Sequence, residues 1–112
     1  MTITAKRAAR VFVLEPINPP LIFDPHAAEK FGELVYVFER GELRSSIWHD
    51  EFCAECLDSL EEKGYDPARD FLLVVGKLVP ITRMTASLAR KYGAVRALFW
   101  HAVDKEYVVR IL

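Results

Sequence analysis

Three residues near the middle of the chain have metal-ligand chemistry at helical spacing. His49, Cys53 and Cys56 stand at i, i+4 and i+7, which places them on one face of a helix that includes His49. Imidazole and thiolate are the donors zinc prefers, and His26 or His101 would complete a set of four if the fold brought one near. The same Cys53-x-x-Cys56 pair could instead be a redox pair, with Cys53 activated by the helix N-terminus. Against both stands the company the cysteines keep. Phe52, Leu57 and Leu60 share their stripe, free cysteine is among the most buried residue types, and no second Cys-x-x-Cys exists to complete a knuckle. Core packing is therefore the reading the stripe favours, and no resident cofactor is expected.

A second constellation is the segment Gly76, Lys77, then Thr82 and Arg83, between an apolar run and the next helix. A glycine for close approach, a cationic side chain and free helix N–H groups are the parts an anion site needs. The segment holds one glycine rather than a cluster, and Pro80 removes one donor. A phosphate- or nucleotide-binding loop is thus an alternative to an ordinary strand-to-helix connection. Asp24, Asp66, Asp70, His101 and Asp104 all fall near strand ends or turns, where two of them could make an acid–base pair. Asp24 and Asp66 each precede a proline, however, as capping and turn residues do. No Ser, Cys or Thr sits in a nucleophile elbow, and the balance of the sequence is against an enzyme.

Aromatic residues are the third feature. The chain has two Trp, four Tyr and seven Phe in 112 residues, many to hide in one small core. In Val95–His101 (VRALFWH) the strand alternation sends Phe99 and Trp100 to opposite faces. Trp48, Phe99 and Trp100 are the residues expected to anchor an interface if the aromatics form a surface patch. Self-association, or contact with another protein, is the partner reading this supports.

The elements that must position these residues follow from periodicity and punctuation. Arg10–Glu15 (RVFVLE) reads as a strand, ended by Pro16, Pro19 and Pro20. Asp24, Pro25 and Gly32 frame a short helix. Leu34–Glu39 (LVYVFE) is apolar on both faces and is expected to be a central strand, with Leu43–Trp48 a short edge strand. A helix runs from Asp50 to about Lys63, its outer face lined by Glu51, Glu55, Asp58, Glu61 and Glu62 and its end marked by Gly64. Phe71–Val75 (FLLVV) reads as a strand buried on both faces. Pro80 fits a first helical position, Ile81, Met84, Leu88 and Tyr92 share one face of the helix, and Gly93 ends it. Ala94–His101 and Tyr107–Leu112 form a terminal hairpin. The order predicts one α/β domain over residues 10–112. Its mixed sheet has four to six strands, covered by two main helices and a short one, with a C-terminal β-hairpin.

Net charge is −1, so no overall field favours nucleic acid. Lys6, Arg7 and Arg10 make the beginning of the chain basic, with residues 1–9 read as an arm. They are the residues through which nucleic-acid phosphates would be contacted; otherwise nucleic acid is not expected as a partner. No leader and no membrane span are expected, and two cysteines three apart suit a reducing cytoplasm.

Over Tyr65–Val108 the chain has the pattern YDPARDFLLVVG, a helix, VRALFW, and a turn to EYV. This resembles small uncharacterised proteins carried by bacteriophages and other mobile elements. The resemblance implies an accessory role toward a viral or host partner, and it carries no catalytic residue over.

Overall fold

The computed structural model describes residues 8–14, 24–39, 50–75 and 78–112, with the side chains of residues 50–53 and 78 left undescribed. The expected edge strand Leu43–Trp48 lies outside these residues. Five strands form one sheet: β1 (Arg10–Val13), β2 (Glu33–Tyr36), β3 (Phe71–Leu73), β4 (Arg96–His101) and β5 (Glu106–Ile111). Their spatial order is β2-β1-β3-β4-β5. The first three neighbours pair parallel, and β4–β5 is antiparallel. This is the doubly wound order with its last strand reversed.

Connection handedness decides where the helices go. The step from β1 to β2 moves across the sheet one way, and the later steps move the other way. Right-handed crossovers must then lie on opposite faces. A 3₁₀ helix (Pro25–Phe31) follows β1 and covers one face, while α1 (Asp50–Glu62) and α2 (Leu78–Tyr92) cover the other. Strand alternation divides the core accordingly. Phe12, Leu14, Leu72 and Ala97 pack under α1 and α2 with Cys56, Leu60, Met84 and Leu88. Val11, Val13, Leu73 and Leu98 pack under the 3₁₀ helix with Ala28, Phe71 and Tyr107. The run FLLVV thus lies between two cores, and Phe71, Leu72 and Leu73 are all buried.

The predicted punctuation sits at the element ends. Asp24 caps the 3₁₀ helix by accepting from the His26 N–H at 3.0 Å. Gly64, at φ 87, closes α1 in a Schellman arrangement: its N–H reaches the Glu61 carbonyl at 2.9 Å and the Tyr65 N–H reaches Leu60 at 3.2 Å. Gly93, at φ 85, ends α2, its N–H donating to the Ala89 carbonyl.

Two expectations change. β2 is not central: among the described residues it is the sheet edge beyond β1. It is apolar on both sides because each face of the sheet is covered even at that edge. Val35 packs on the core under α1 and α2, while Leu34 and Tyr36 pack on the core under the 3₁₀ helix. In addition, α2 begins at Leu78, so Pro80 is its third residue rather than its first. A proline is still tolerated there, because the first four N–H groups of a helix have no intrahelical acceptor.

Candidate functional site

In an open sheet of this order, ligands sit outside the carboxyl ends of the strands where the order reverses, here between β1 and β3. Gly76 and Lys77, which the sequence suggests for such a site, lie outside the described residues. Thr82 and Arg83 are the fifth and sixth residues of α2, so they stand in its second turn, past the free N–H groups of the first. Thr82 is exposed and Arg83 half-buried.

The metal set is only partly visible. His49 lies outside the described residues, and Cys53 is in α1 with its side chain undescribed. Cys56 is buried in the core between α1 and the sheet, beside Leu60 and Leu88. The two histidines that might have joined it are elsewhere. His26 is exposed on the 3₁₀ helix, across the sheet from Cys56, with its Nδ1 2.9 Å from Glu29 Oε1. That contact raises the His26 pKa above its usual value. His101 ends β4 and pairs with Asp104 at 3.0 Å. Among the described residues no group of three or more His, Cys, Asp or Glu side chains is placed to hold a metal ion.

The carboxylates near the turns serve the fold. Asp70 is fully buried at the amino end of β3. Its Oδ1 accepts from the Arg10 N–H at 2.9 Å, and its Oδ2 accepts from the Asp66 N–H at 2.7 Å. Asp66 in turn accepts from Ala68, an Asx turn. Arg10, the cation nearest the expected arm, belongs to this network. Its Nη2 donates to the Gly64 carbonyl at 2.6 Å and lies 3.9 Å from Asp70 Oδ2. Arg96 completes the cluster, donating to the Ala68 carbonyl at 3.0 Å and stacking 4.6 Å over the Phe71 ring. The cluster ties β1, β3, β4 and the end of α1 together at the end of the sheet away from the expected ligand crevice. Lys6 and Arg7 lie outside the described residues.

The aromatics separate as alternation predicts. Trp100 packs edge-on against Tyr107, ring centroids 5.1 Å apart, on the face of the 3₁₀ helix. Phe99 is half-buried on the α2 face. Trp48 lies outside the described residues. Phe99 forms one wall of an open apolar groove of about 350 Å³, with Val74, Thr85, Ala86, Ala89 and Leu112 around it and Thr82 at its rim. Leu112 is 46% exposed at the groove, and Ile111, 64% exposed, projects from the opposite face of the same strand end. The strand they end, β5, has no neighbour on its outer side among the described residues. The sequence reading placed Tyr107–Leu112 as the closing strand without noticing this edge. The clue was present in the apolar pair Ile111 and Leu112 at the end of the hairpin's second strand.

Fold and surface together define a small doubly wound α/β protein with an open apolar margin along its last strand. The chain belongs to the Phage Pam3 gp32-like protein family, whose family model matches residues 9–110. The similarity to phage-carried proteins thus extends well beyond Tyr65–Val108. No curated protein and no solved structure matches the chain. No helix among the described residues is long and apolar enough to cross a membrane.

Proposed function

We propose that this phage-family chain is a non-enzymatic accessory module that works through protein–protein contact, and first of all by self-association in the cytoplasm. The observation that carries the reading is the apolar groove walled by Phe99 and Leu112 beside the β5 edge, with Ile111 exposed on the other face of the same strand end. Single exposed apolar residues are ordinary. An apolar groove that ends on an exposed aliphatic side chain, Leu112, beside an open strand edge is what interfaces use. The polar groups offer less to a catalytic reading, because Asp24, Asp66, Asp70 and the His101–Asp104 pair are engaged in caps, turns and the Arg10 cluster. Sedimentation velocity over a wide concentration range tests the proposal. A reversible homo-oligomer is expected, and a strict monomer at every concentration overturns it.

The start of α2 directly after β3 supports a second reading, a phosphate or nucleotide site using Gly76–Arg83 at the carboxyl end of the sheet. Lys77→Glu should then abolish binding of a nucleoside triphosphate in calorimetry. Absence of any binding by the unaltered protein removes that reading.

A further inference from the structure

We infer that the self-association proposed above is an antiparallel pairing of β5 with β5 of a second copy, with Val108 on the two-fold axis. The inference rests on that reading and specifies its surface. Leu112 and Val95 exchange both backbone hydrogen bonds, at 3.0 and 2.9 Å. Alternation in an antiparallel ladder then turns the backbone groups of Glu106, Val108 and Arg110 toward β4, and those of Tyr107, Val109 and Ile111 outward. The Val109 carbonyl confirms the direction: its partner is the Arg110 side chain, whose Nη1 donates to it at 2.8 Å, and not a strand.

Two outward-facing edges can pair only by matching Tyr107, Val109 and Ile111 among themselves, which leaves few registers. Centring on Val108 sets Tyr107 against Val109 of the second copy as hydrogen-bonded pairs. It also sets Glu106 directly opposite Arg110 of the second copy, twice, at the non-hydrogen-bonded positions where side chains come closest. A shift by one step in either direction places Glu106 opposite Val108 or Leu112 and loses both ion pairs. A shift of two steps sets Glu106 against Glu106 or Arg110 against Arg110. Charges on an edge strand ordinarily block pairing, but here the two opposite charges lie symmetrically about Val108 and are complementary to their own copy. Both ends are exposed: among the described residues Glu106 meets Lys30 at 3.4 Å, and Arg110 its neighbour's carbonyl. The pairing is isologous and closes, so it yields a dimer rather than a fibre. It also places Leu112 and the Phe99 groove of each copy on one face of the joined sheets, with Ile111 on the other.

The test uses Glu106→Arg and Arg110→Glu, alone, combined in one chain, and mixed as two chains. Both positions are exposed, and circular dichroism with thermal melting checks that each variant folds. Each single variant replaces two attractive pairs by two repulsive ones, and its homodimer should dissociate roughly tenfold more readily or more. The doubly exchanged chain should regain the original affinity. A mixture of the two single variants should form a heterodimer in preference to either homodimer, because both of its pairs are then opposite in sign. Equal dimerisation by all variants, or single-variant losses that neither combination rescues, overturns the inference while leaving self-association standing. A wild-type monomer overturns both.

Discussion

Asp70 is the one fully buried acid among the described residues, and its two oxygens take N–H groups from Arg10 and Asp66, which stand 60 and 4 residues away in the chain. A buried carboxylate is tolerable because these donors, together with the Arg10 guanidinium, replace its water. Asp70→Ala would leave both N–H groups buried without an acceptor, and should cost on the order of 3 kcal/mol in urea unfolding. Asp70→Asn keeps one acceptor oxygen and should cost less. The Tyr65 hydroxyl makes the opposite case. It is buried with no hydrogen-bond partner among the described residues, while its ring packs edge-on to Phe12 at 5.4 Å. Tyr65→Phe keeps the ring contacts and removes an unsatisfied polar atom, so stability should be unchanged or higher by up to about 1 kcal/mol in the same assay. From the sequence, Asp66 and Asp70 were recognisable as turn residues. That Asp70 receives the first strand's N–H was not, because nothing local in YDPARDF encodes a partner 60 residues earlier.

Elements were legible where periodicity and punctuation agreed. Asp24–Pro25 with Gly32 gave the short helix, Gly64 and Gly93 gave the two α-helix ends, and FLLVV gave the doubly buried strand. The position of β2 was not legible. Two apolar faces report that a strand is covered on both sides, not that it has neighbours on both edges. In a doubly wound sheet with layers over each face, an edge strand reads like a central one. The start of α2 was displaced for a related reason: Pro80 fits any of the first helical positions, so it marks a helix beginning only to within a turn. Gly32 carries an element-scale prediction. At φ 156 between the 3₁₀ helix and β2, it passes so close to the start of β1 that an added Cβ would lie 2.3 Å from the Ala9 carbonyl oxygen and 2.7 Å from its carbon. Both obstacles are backbone, so β1 and β2 would have to separate. Gly32→Ala should cost roughly 2–4 kcal/mol, read as a lower urea midpoint with an unchanged slope.

At the scale of the molecule, the candidate site was the least legible part. The sequence offered residue types suited to metal, anion or interface chemistry. Of the interface residues it offered, Phe99 lines an apolar groove at the end of β5, Trp100 lies on the opposite face of the sheet, and Trp48 is outside the described residues. A surface of that kind depends on which strand is last in space, and sequence order does not give this. Two global responses follow. Burial pushes the Tyr65 and Tyr107 hydroxyls up to about 12. The unfolded chain loses these protons near its ordinary tyrosine value of roughly 10, so between about 10 and 12 the native state holds more protons than the unfolded state. Stability from these two groups is therefore complete below about 10 and falls as pH rises through about 12. Melting followed across that range should show the loss, and the chain carrying Tyr65→Phe and Tyr107→Phe should show a shallower one. The second response separates a monomeric fold from an assembling one. If the native state is a dimer joined along β5, unfolding is coupled to dissociation, and Tm must rise with protein concentration. Wild-type protein should show that rise, and Arg110→Glu should melt at a temperature far less dependent on concentration. Equal slopes for the two would mean that any assembly present does not run through this edge.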